Sequence, residues 1–276
     1  MLTNHPYIAS PHNMRVKQWA SLLEKKYRDR IGQFIVEGVH LVLEALKAGA
    51  AVSVVVYDVD RGIPKELLPF VPTTKHAVQA TQAATPEWVQ ASAAAIAKCT
   101  GTDTAPPVFA IVGKLQTHTA ALYKQDSLVI LLDGIRDPGN AGTIIRSADA
   151  AGADAVILGR GCVDLYNPKT VRSTMGSLFH LPIIEADLFT LLQEAKQHRM
   201  NVIGTSLAAT NTCYSYNWTN PTWLLMGSES EGLSPELQQM TNESLIIPMA
   251  GDSESLNVAM ASTILLFEAM RQRKFN

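Results

Sequence analysis

Three loops of the sequence hold the polar residues whose types and spacing could do chemistry. The first loop runs from Asp133 to Arg146 and places Asn140 six residues before Arg146, around a glycine-rich turn. An apolar run precedes the loop and a helical pattern follows it, which is the order that phosphate and nucleotide sites use. The loop matches neither the GxxxxGK[ST] phosphate loop nor GxGxxG. On spacing alone, Asn140 could equally cap the helix while Arg146 forms a salt bridge with Asp149 or another acid.

The second loop begins at Asn167-Pro168, a favourable cap and first position for a helix. Lys169 and Arg172 are three residues apart, so both cations share one face near the helix start. Positive charges there oppose the helix dipole, which costs stability. This unfavourable placement indicates that the two cations have a binding role, such as holding an RNA phosphate or a partner carboxylate. The alternative is an exposed face on which long side chains lie along the surface.

The third region consists of two strand-exit segments, Met226–Ser234 and Ile246–Ala259, that are rich in Gly, Ser, Glu and Asn. Acidic and amide groups suit a hydroxyl-rich or cationic ligand better than a bare phosphate. Pro248 and Gly251 would let main-chain groups face such a ligand. The alternative is a pair of ordinary turns in which Asn257 caps the final helix.

The elements around these loops follow a regular alternation. After Ser127, short apolar runs alternate with helical patterns, which predicts an α/β domain with a mostly parallel sheet and helices on both faces. In such a sheet, ligands bind beyond the carboxyl ends of the strands, where these loops begin. The predicted strands are Leu128–Leu132, Ala155–Leu158, Val202–Gly204, Trp223–Met226 and Leu245–Ile247. The predicted helices are Thr143–Ala151, Lys169–Phe179, Leu188–His198, Pro235–Met240 and Val258–Arg273.

The last helix is apolar nearly all round, since Ser262 and Thr263 are the polar residues of Val258–Phe267. Such a helix is buried on most sides, in a deep core or at a subunit interface.

The N-terminal third has the patterning of a smaller mixed α/β unit. A polar stretch at residues 114–126 marks the predicted linker, between a domain at 1–113 and a domain at 127–276. The predicted elements are a helix from Asn13 to about Arg28, a strand at Phe34–Val36, a helix at Gly38–Ala48, a strand at Val52–Tyr57, a helix that starts at Thr85-Pro86-Glu87 and continues through Ala91–Lys98, and a strand at Val108–Val112.

Composition limits the class of protein. The 276 residues are 47% hydrophobic and 17% charged, which excludes a disordered chain and supplies a sizeable core. No apolar run approaches the roughly 18–20 residues of a membrane span. The start of the chain lacks the pattern of a secretory signal, so we expect a cytoplasmic protein. Three cysteines without CxxC spacing argue against a disulfide framework and against a zinc site.

The charge distribution is informative only locally. The net charge is −2, so composition does not indicate a nucleic-acid binder. The segment from Arg15 to Arg30, however, contains six basic residues and only two acidic ones. This excess is either a solvated helix face or a patch that contacts phosphates.

Together, the three loops resemble the signature motifs of the SpoU branch of the SPOUT RNA methyltransferases. The first resembles DxxxDPxNxGxIIRxAxxxG, matched at Asp133, Asp137, Pro138, Asn140, Gly142, Arg146, Ala148 and Gly152. The second resembles NPKxxRxSxG at Asn167–Gly176, with Thr174 where a serine is usual. The third resembles GSExxGL at Gly227–Leu233 followed by IPMxGxxxSLNVAxA at Ile247–Ala261. More loosely, Asn13–Gly49 is similar to the ribosomal-protein-like (L30e-like) substrate-binding domain that precedes many members.

The resemblance implies an S-adenosylmethionine-dependent enzyme that methylates a ribose 2′-hydroxyl, with a C-terminal trefoil knot, a homodimer and no metal. It implies the catalytic set Asn140, Arg146, Glu229, Ser255 and Asn257. It implies that the methyl donor is held by Thr205, Ser206, Leu207, Gly227, Ile247, Met249 and Leu256. With the basic residues identified above, the RNA-binding candidates are Arg15, Lys17, Lys25, Lys26, Arg28, Lys169 and Arg172.

The separate N-terminal domain favours large-subunit (23S) ribosomal RNA as substrate. Transfer RNA, a non-catalytic RNA-binding member of the same fold, and an unrelated nucleotide-binding enzyme are the alternatives. A guanidinium is effectively always charged, so we expect Arg146 to stabilise developing negative charge and not to act as a simple base.

Overall fold

The computed structural model describes residues 5–72, 85–102, 104–116, 122–228, 231–252 and 255–275. The chain forms two compact units. The first unit contains Met1–Gln116 together with Asp164–Phe179, and the second contains Thr117–Val163 and His180–Asn276. Among the described residues, no helix has both the length and the apolar character needed to cross a membrane.

The elements follow in chain order. The strands are β1 (Tyr7–Ile8), β2 (Gln33–Glu37), β3 (Val52–Asp58), β4 (Glu87–Ala91), β5 (Val108–Gly113), β6 (Leu128–Leu132), β7 (Ala155–Leu158), β8 (Ile183–Glu185), β9 (Asn201–Thr205), β10 (Asn211–Thr212), β11 (Thr222–Met226) and β12 (Glu243–Ile246). The helices are α1 (Met14–Ser21), α2 (Lys25–Ile31), α3 (Val39–Lys47), α4 (Ala93–Cys99), α5 (Pro138–Ala151), α6 (Pro168–Ser173), α7 (Leu188–Gln197), α8 (Pro235–Gln238) and α9 (Val258–Lys274).

The first unit is built on a mixed sheet with the strand order β1-β4-β3-β5-β2. Strand β5 runs antiparallel to β2 and β3, whereas β4 is parallel to β1 and β3. β-Branched and aromatic side chains fill its core, among them Trp19 and Phe109, whose rings meet edge to face at 5.9 Å. The strands predicted at 34–36, 52–57 and 108–112 correspond to β2, β3 and β5 and are confirmed. The helix predicted after Gly38 is α3 and is confirmed as well.

Two N-terminal predictions are wrong. The single helix from Asn13 to Arg28 is in fact α1 and α2, because the chain leaves the helix at Leu22 and buries that side chain in the core. The segment beginning at Glu87 is strand β4, because Trp88 and Val89 are buried in a strand that pairs with β3. The helix cap is instead Ser92, whose hydroxyl accepts from the Ala95 N–H at 3.2 Å.

The segment Asp164–Phe179 belongs to the first unit although it lies between β7 and β8 of the second in sequence. The Tyr166 ring packs 4.6 Å from that of Phe34, and Arg172 pairs with Glu37 at 3.1 Å. The helix predicted at Lys169–Phe179 is shorter, because Met175 and Gly176 adopt positive φ values of 51° and 99° after α6. This grouping was not predicted from the sequence, and the domain limits 1–113 and 127–276 stay a prediction.

The second unit contains a parallel sheet with the strand order β10-β12-β9-β11-β6-β7-β8. Each of its strand pairs is parallel, which confirms the predicted α/β class. The central strands β6 and β11 are buried throughout, as continuous apolar runs require. The short strands β8 and β10 were not predicted, because two or three residues leave no periodicity to detect.

Candidate active site

A cavity of about 690 Å³ opens at the carboxyl ends of three neighbouring strands of the second unit. Thr205 ends β9, Met226 ends β11 and Ile246 ends β12, and all three line the cavity. The volume falls within the range of about 300–1,000 Å³ that is usual for small-molecule sites. All seven residues predicted to hold the methyl donor lie in its wall, namely Thr205, Ser206, Leu207, Gly227, Ile247, Met249 and Leu256.

The wall of the cavity is mostly aliphatic with a few polar groups. Among the described lining residues, Glu231 is the single charged side chain, while Ser206, Gln238 and Asn257 add hydroxyl and amide groups. This lining suits a ligand that has a large apolar part, hydrogen-bonding groups and a positive charge. Sequence reasoning missed Glu231, although its place in the same strand-exit loop as Glu229 was a usable signal.

Gly227 is required where the loop after β11 folds back on itself. A Cβ atom at Gly227 would lie 2.2 Å from the carbonyl carbon of Gly232, so no larger residue fits without moving the backbone. Ser228 and Gly232 exchange two backbone hydrogen bonds of 3.0 and 2.9 Å, which close the loop. Glu229, a member of the predicted catalytic set, lies outside the described residues.

Asn140 and Asn257 meet at the start of two helices. The Asn257 side-chain amide donates to the side-chain oxygen of Asn140 at 3.1 Å. The Asn257 oxygen also accepts from the Ala259 N–H at 3.0 Å, so the residue caps α9 as predicted. The alternative that Asn140 caps α5 is wrong, because Asp137 is the cap and accepts from the Asn140 N–H at 2.9 Å. Ser255, like Asn257, lines the cavity.

Arg146 lies further along α5 with an exposed side chain, and it is not part of the cavity wall. The alternative that Arg146 pairs with Asp149 or another acid is wrong for the described residues, because no Asp or Glu among them forms an ion pair with Arg146, and Asp149 contacts the His180 ring at 2.8 Å. Six residues turn a helix by roughly 600°, which is one full turn and about 240° more, so Asn140 and Arg146 project from different sides of α5. A single chain therefore brings together Asn140, Asn257 and Ser255, and leaves Arg146 apart.

The three thiols are poor nucleophiles in this fold. Burial raises the pKa of Cys99 to about 12 and also raises the pKa of Cys162 and of Cys213. Since the thiolate is the reactive form, none of the three is activated at neutral pH.

Two of the predicted RNA-binding cations, Arg28 and Arg172, pair with largely buried carboxylates of the first unit. Arg28 is only 2% exposed, pairs with Asp164 and donates to the carbonyl oxygen of Leu22 at 2.7 Å. Arg172 is held by the buried carboxylate of Glu37. Both arginines therefore stabilise the docking of residues 164–179 on β2 and α2.

The other predicted RNA-binding cations lie nearer the surface. Arg15 forms a two-pronged pair with Glu87 and covers the Trp19 ring, and the hydrogen bonds from Arg15 lower the pKa of the Glu87 carboxyl. Lys26 contacts Glu24 at 2.9 Å, which raises the pKa of the lysine. Lys17, Lys25 and Lys169 are exposed. Their exposure leaves these side chains accessible to a polyanion.

Family models match both parts of the chain. Residues 127–267 match the SpoU rRNA Methylase family, and residues 13–110 match the MRM3-like substrate binding domain. A 23S rRNA (guanosine(2553)-2′-O)-methyltransferase, RlmP of Bacillus subtilis (strain 168), is 35% identical over 260 residues, which are 94% of this chain and 97% of that protein. A 23S rRNA (uridine(2479)-2′-O)-methyltransferase of Streptomyces viridochromogenes is 34% identical, over 95% of this chain and 91% of that protein.

Solved structures match over nearly the whole chain. The SpoU methyltransferase AviRb from Streptomyces viridochromogenes, in complex with the cofactor AdoMet, has a TM-score of 0.83 at 32% identity and covers 96% of this chain and 100% of its own. An rRNA methyltransferase from Sinorhizobium meliloti has a TM-score of 0.85 at 32% identity, with 99% and 100% coverage. By its sequence, its fold and its three motifs, this chain belongs to the SpoU rRNA methylase family.

Proposed function

We propose that this protein transfers a methyl group from S-adenosylmethionine to a ribose 2′-hydroxyl of 23S ribosomal RNA. The cavity at the carboxyl ends of β9, β11 and β12 carries this proposal. Its wall contains all seven residues predicted to bind the cofactor, next to the hydrogen bond between Asn140 and Asn257. Two relatives that match over nearly their whole length are 23S rRNA 2′-O-methyltransferases by name, which supports the choice of substrate.

The residues of the cavity fit S-adenosylmethionine. Its aliphatic wall suits the flat faces of the cofactor's adenine ring, and Thr205 and Ser206 offer hydrogen-bonding groups. The carboxylate of Glu231 favours the cofactor's positive sulfonium and ammonium groups over a neutral ligand. When bound, the cofactor supplies an electrophilic methyl group.

The polar residues near the cavity would prepare the ribose hydroxyl. A hydroxyl is a weak nucleophile at neutral pH and must lose its proton as it attacks. Arg146 lies apart from these residues within one chain, so it would act across the dimer proposed below, where it would stabilise the developing alkoxide, an effect that is typically worth about 3–4 kcal/mol. The mutual hydrogen bond of Asn140 and Asn257 fixes both amides for holding the ribose in line, and Ser255 and Glu229 complete the set.

Cations of the first unit would bind the RNA backbone. Lys17, Lys25 and Lys26, with Arg15, carry the phosphate contacts, and Lys169 adds a charge on α6. Arg28 and Arg172 act indirectly, because their ion pairs hold α6 and its flanking residues in place. Binding of this kind is electrostatic and weakens as salt rises.

A homodimer through α9 completes the proposed enzyme. Met260 and Phe267 are 55% and 40% exposed on this helix, and residues of this type favour burial at an interface. A second chain packed on this face would bring its own α5 close to the helix pair α5 and α9, which are in contact within one chain. The trefoil knot is a further part of the proposal.

Mapping of ribose methylation in total RNA from cells with and without the gene tests this function. We expect one 2′-O-methylated position of 23S rRNA to disappear with the gene and to return with a plasmid copy. Loss of a position in transfer RNA, with 23S rRNA unchanged, would overturn the substrate. An unchanged map in all RNA would overturn the activity.

A further inference from the structure

We propose that Asp133 is a positioning residue that holds one wall of the cavity in its cofactor-binding form; this inference rests on the proposed function of the cavity. Asp133 directly follows β6. Its backbone N–H donates to the carbonyl oxygen of Met226 at 2.8 Å, and its carboxylate accepts from the Ser234 N–H at 2.8 Å. Asp133 therefore binds both ends of the loop Gly227–Ser234.

The loop that Asp133 closes supplies much of the cavity wall. Gly227, Ser228, Glu231, Gly232 and Leu233 line the cavity, whereas Asp133 does not. Ser234 is the N-cap residue of α8, and Gln238 at the end of that helix lines the cavity as well. A change at Asp133 would therefore reach the ligand only through the position of this loop.

Among the described residues, the loop has further contacts of its own: the Ser228 hydroxyl accepts from the Glu231 N–H at 3.2 Å, and Leu233 packs against the core cluster of the second unit. The loop consists largely of small residues, and its tight fold depends on the contact between Gly227 and Gly232 and on the Ser228–Gly232 backbone pair. Among the described residues, the Ser234 side chain forms no capping bond to α8. A carboxylate that accepts a backbone N–H makes a stronger bond than a neutral group does. The Asp133 carboxylate thus forms a charge-assisted hydrogen bond to the Ser234 N–H at the point where the loop ends.

The same strand provides a matched control. At the opposite end of β6, the Asp154 carboxylate accepts from the Leu128 N–H at 2.9 Å. This bond has the same chemistry and similar length, but neither residue lines the cavity. Asp154 also pairs with Lys124 at 3.0 Å, so Asp154→Ala loses this ion pair together with the backbone bond and reports what their loss does to stability away from the cavity.

Calorimetric titration of S-adenosylmethionine into the purified full chain, with a thermal melt of each variant, tests the proposal. We expect Asp133→Ala to weaken cofactor binding by about tenfold. Asp133→Asn should stay within about threefold of the wild type, because its amide oxygen can accept the same bond. Asp154→Ala should lower the melting temperature and leave cofactor affinity unchanged.

Ser234→Pro provides an independent variant if Asp133→Ala fails to fold. Proline removes the N–H donor, and the φ of −60° at Ser234 suits its ring, so this variant should lose affinity as Asp133→Ala does. In steady-state assays, both variants should raise the KM for the cofactor more than they lower kcat.

Three results would overturn the proposal. Asp133→Ala and Ser234→Pro could bind the cofactor as the wild type does, or Asp154→Ala could lose as much affinity as Asp133→Ala. Asp133→Asn could also prove as weak as Asp133→Ala. If the wild-type protein itself gave no binding heat, the assignment of the cavity to S-adenosylmethionine would fail, and the positioning role with it.

Discussion

At the scale of single residues, Asn257 combines two tasks that substitutions can separate. Its oxygen caps α9, and its amide nitrogen donates to Asn140. The Asn257→Asp variant keeps an oxygen for the cap but has no side-chain N–H to donate, so it should retain stability and lose most activity. Asn257→Ala should lose both functions, with a cost in folding free energy of about 1 kcal/mol. Urea unfolding and methyl-transfer assays of the two variants measure the separation; equal activity in Asn257→Asp and wild type would contradict it.

Unlike Asn257, Arg146 has no structural role in the single chain, since its exposed side chain forms no hydrogen bond or ion pair with another described residue. Arg146→Ala should therefore leave the melting temperature and cofactor binding unchanged. The turnover number should fall by about 10²–10³-fold, because a preorganised charge near the reacting oxygen is lost. Arg146→Lys keeps the charge without the planar fork and should recover part of the rate. Normal methylation by Arg146→Ala would remove this residue from the catalytic set.

At the scale of secondary-structure elements, Arg273 links the C-terminal end of α9 to the sheet through hydrogen bonds to backbone carbonyl groups. Its guanidinium donates to the carbonyl oxygens of Ser127, Trp218 and Asn220 at 3.1, 2.7 and 2.8 Å, and also to that of Asp126. Burial lowers the pKa of this arginine, but the group stays charged at any physiological pH. One side chain thus satisfies carbonyl groups next to the starts of β6 and β11.

Arg273→Ala should leave these carbonyl groups without their donor and reduce the free energy of unfolding by about 2–3 kcal/mol. Cofactor affinity should not change, since the cavity lies at the carboxyl ends of the strands and not at their starts. Chemical denaturation and calorimetric titration measure the two effects. A variant of normal stability, or one with weakened cofactor binding, would contradict the structural role of Arg273.

At the scale of the whole molecule, the exposed apolar face of α9 predicts self-association. Phe267→Glu should shift the protein from dimer to monomer in analytical ultracentrifugation while its circular dichroism is retained, because a charge cannot be buried without a partner. Leu68→Glu, at a 54% exposed leucine of the first unit, provides the control and should leave the dimer intact. A monomeric wild-type protein would contradict the proposed dimer.

The sequence by itself determined the α/β class, the central strands of both units and the loops that form the candidate site. Those features depend on local signals: continuous apolar runs for buried strands, Asn13 and Asn257 as caps, and motifs of fixed spacing. The grouping of residues 164–179 with the first unit, the burial of Arg28 and the strand at Glu87–Ala91 were decided only by the tertiary structure. Each of these depends on partners far away in sequence, such as Asp164 for Arg28 and β3 for β4. Local propensity contains no information about such partners, so no pattern around these residues could reveal them.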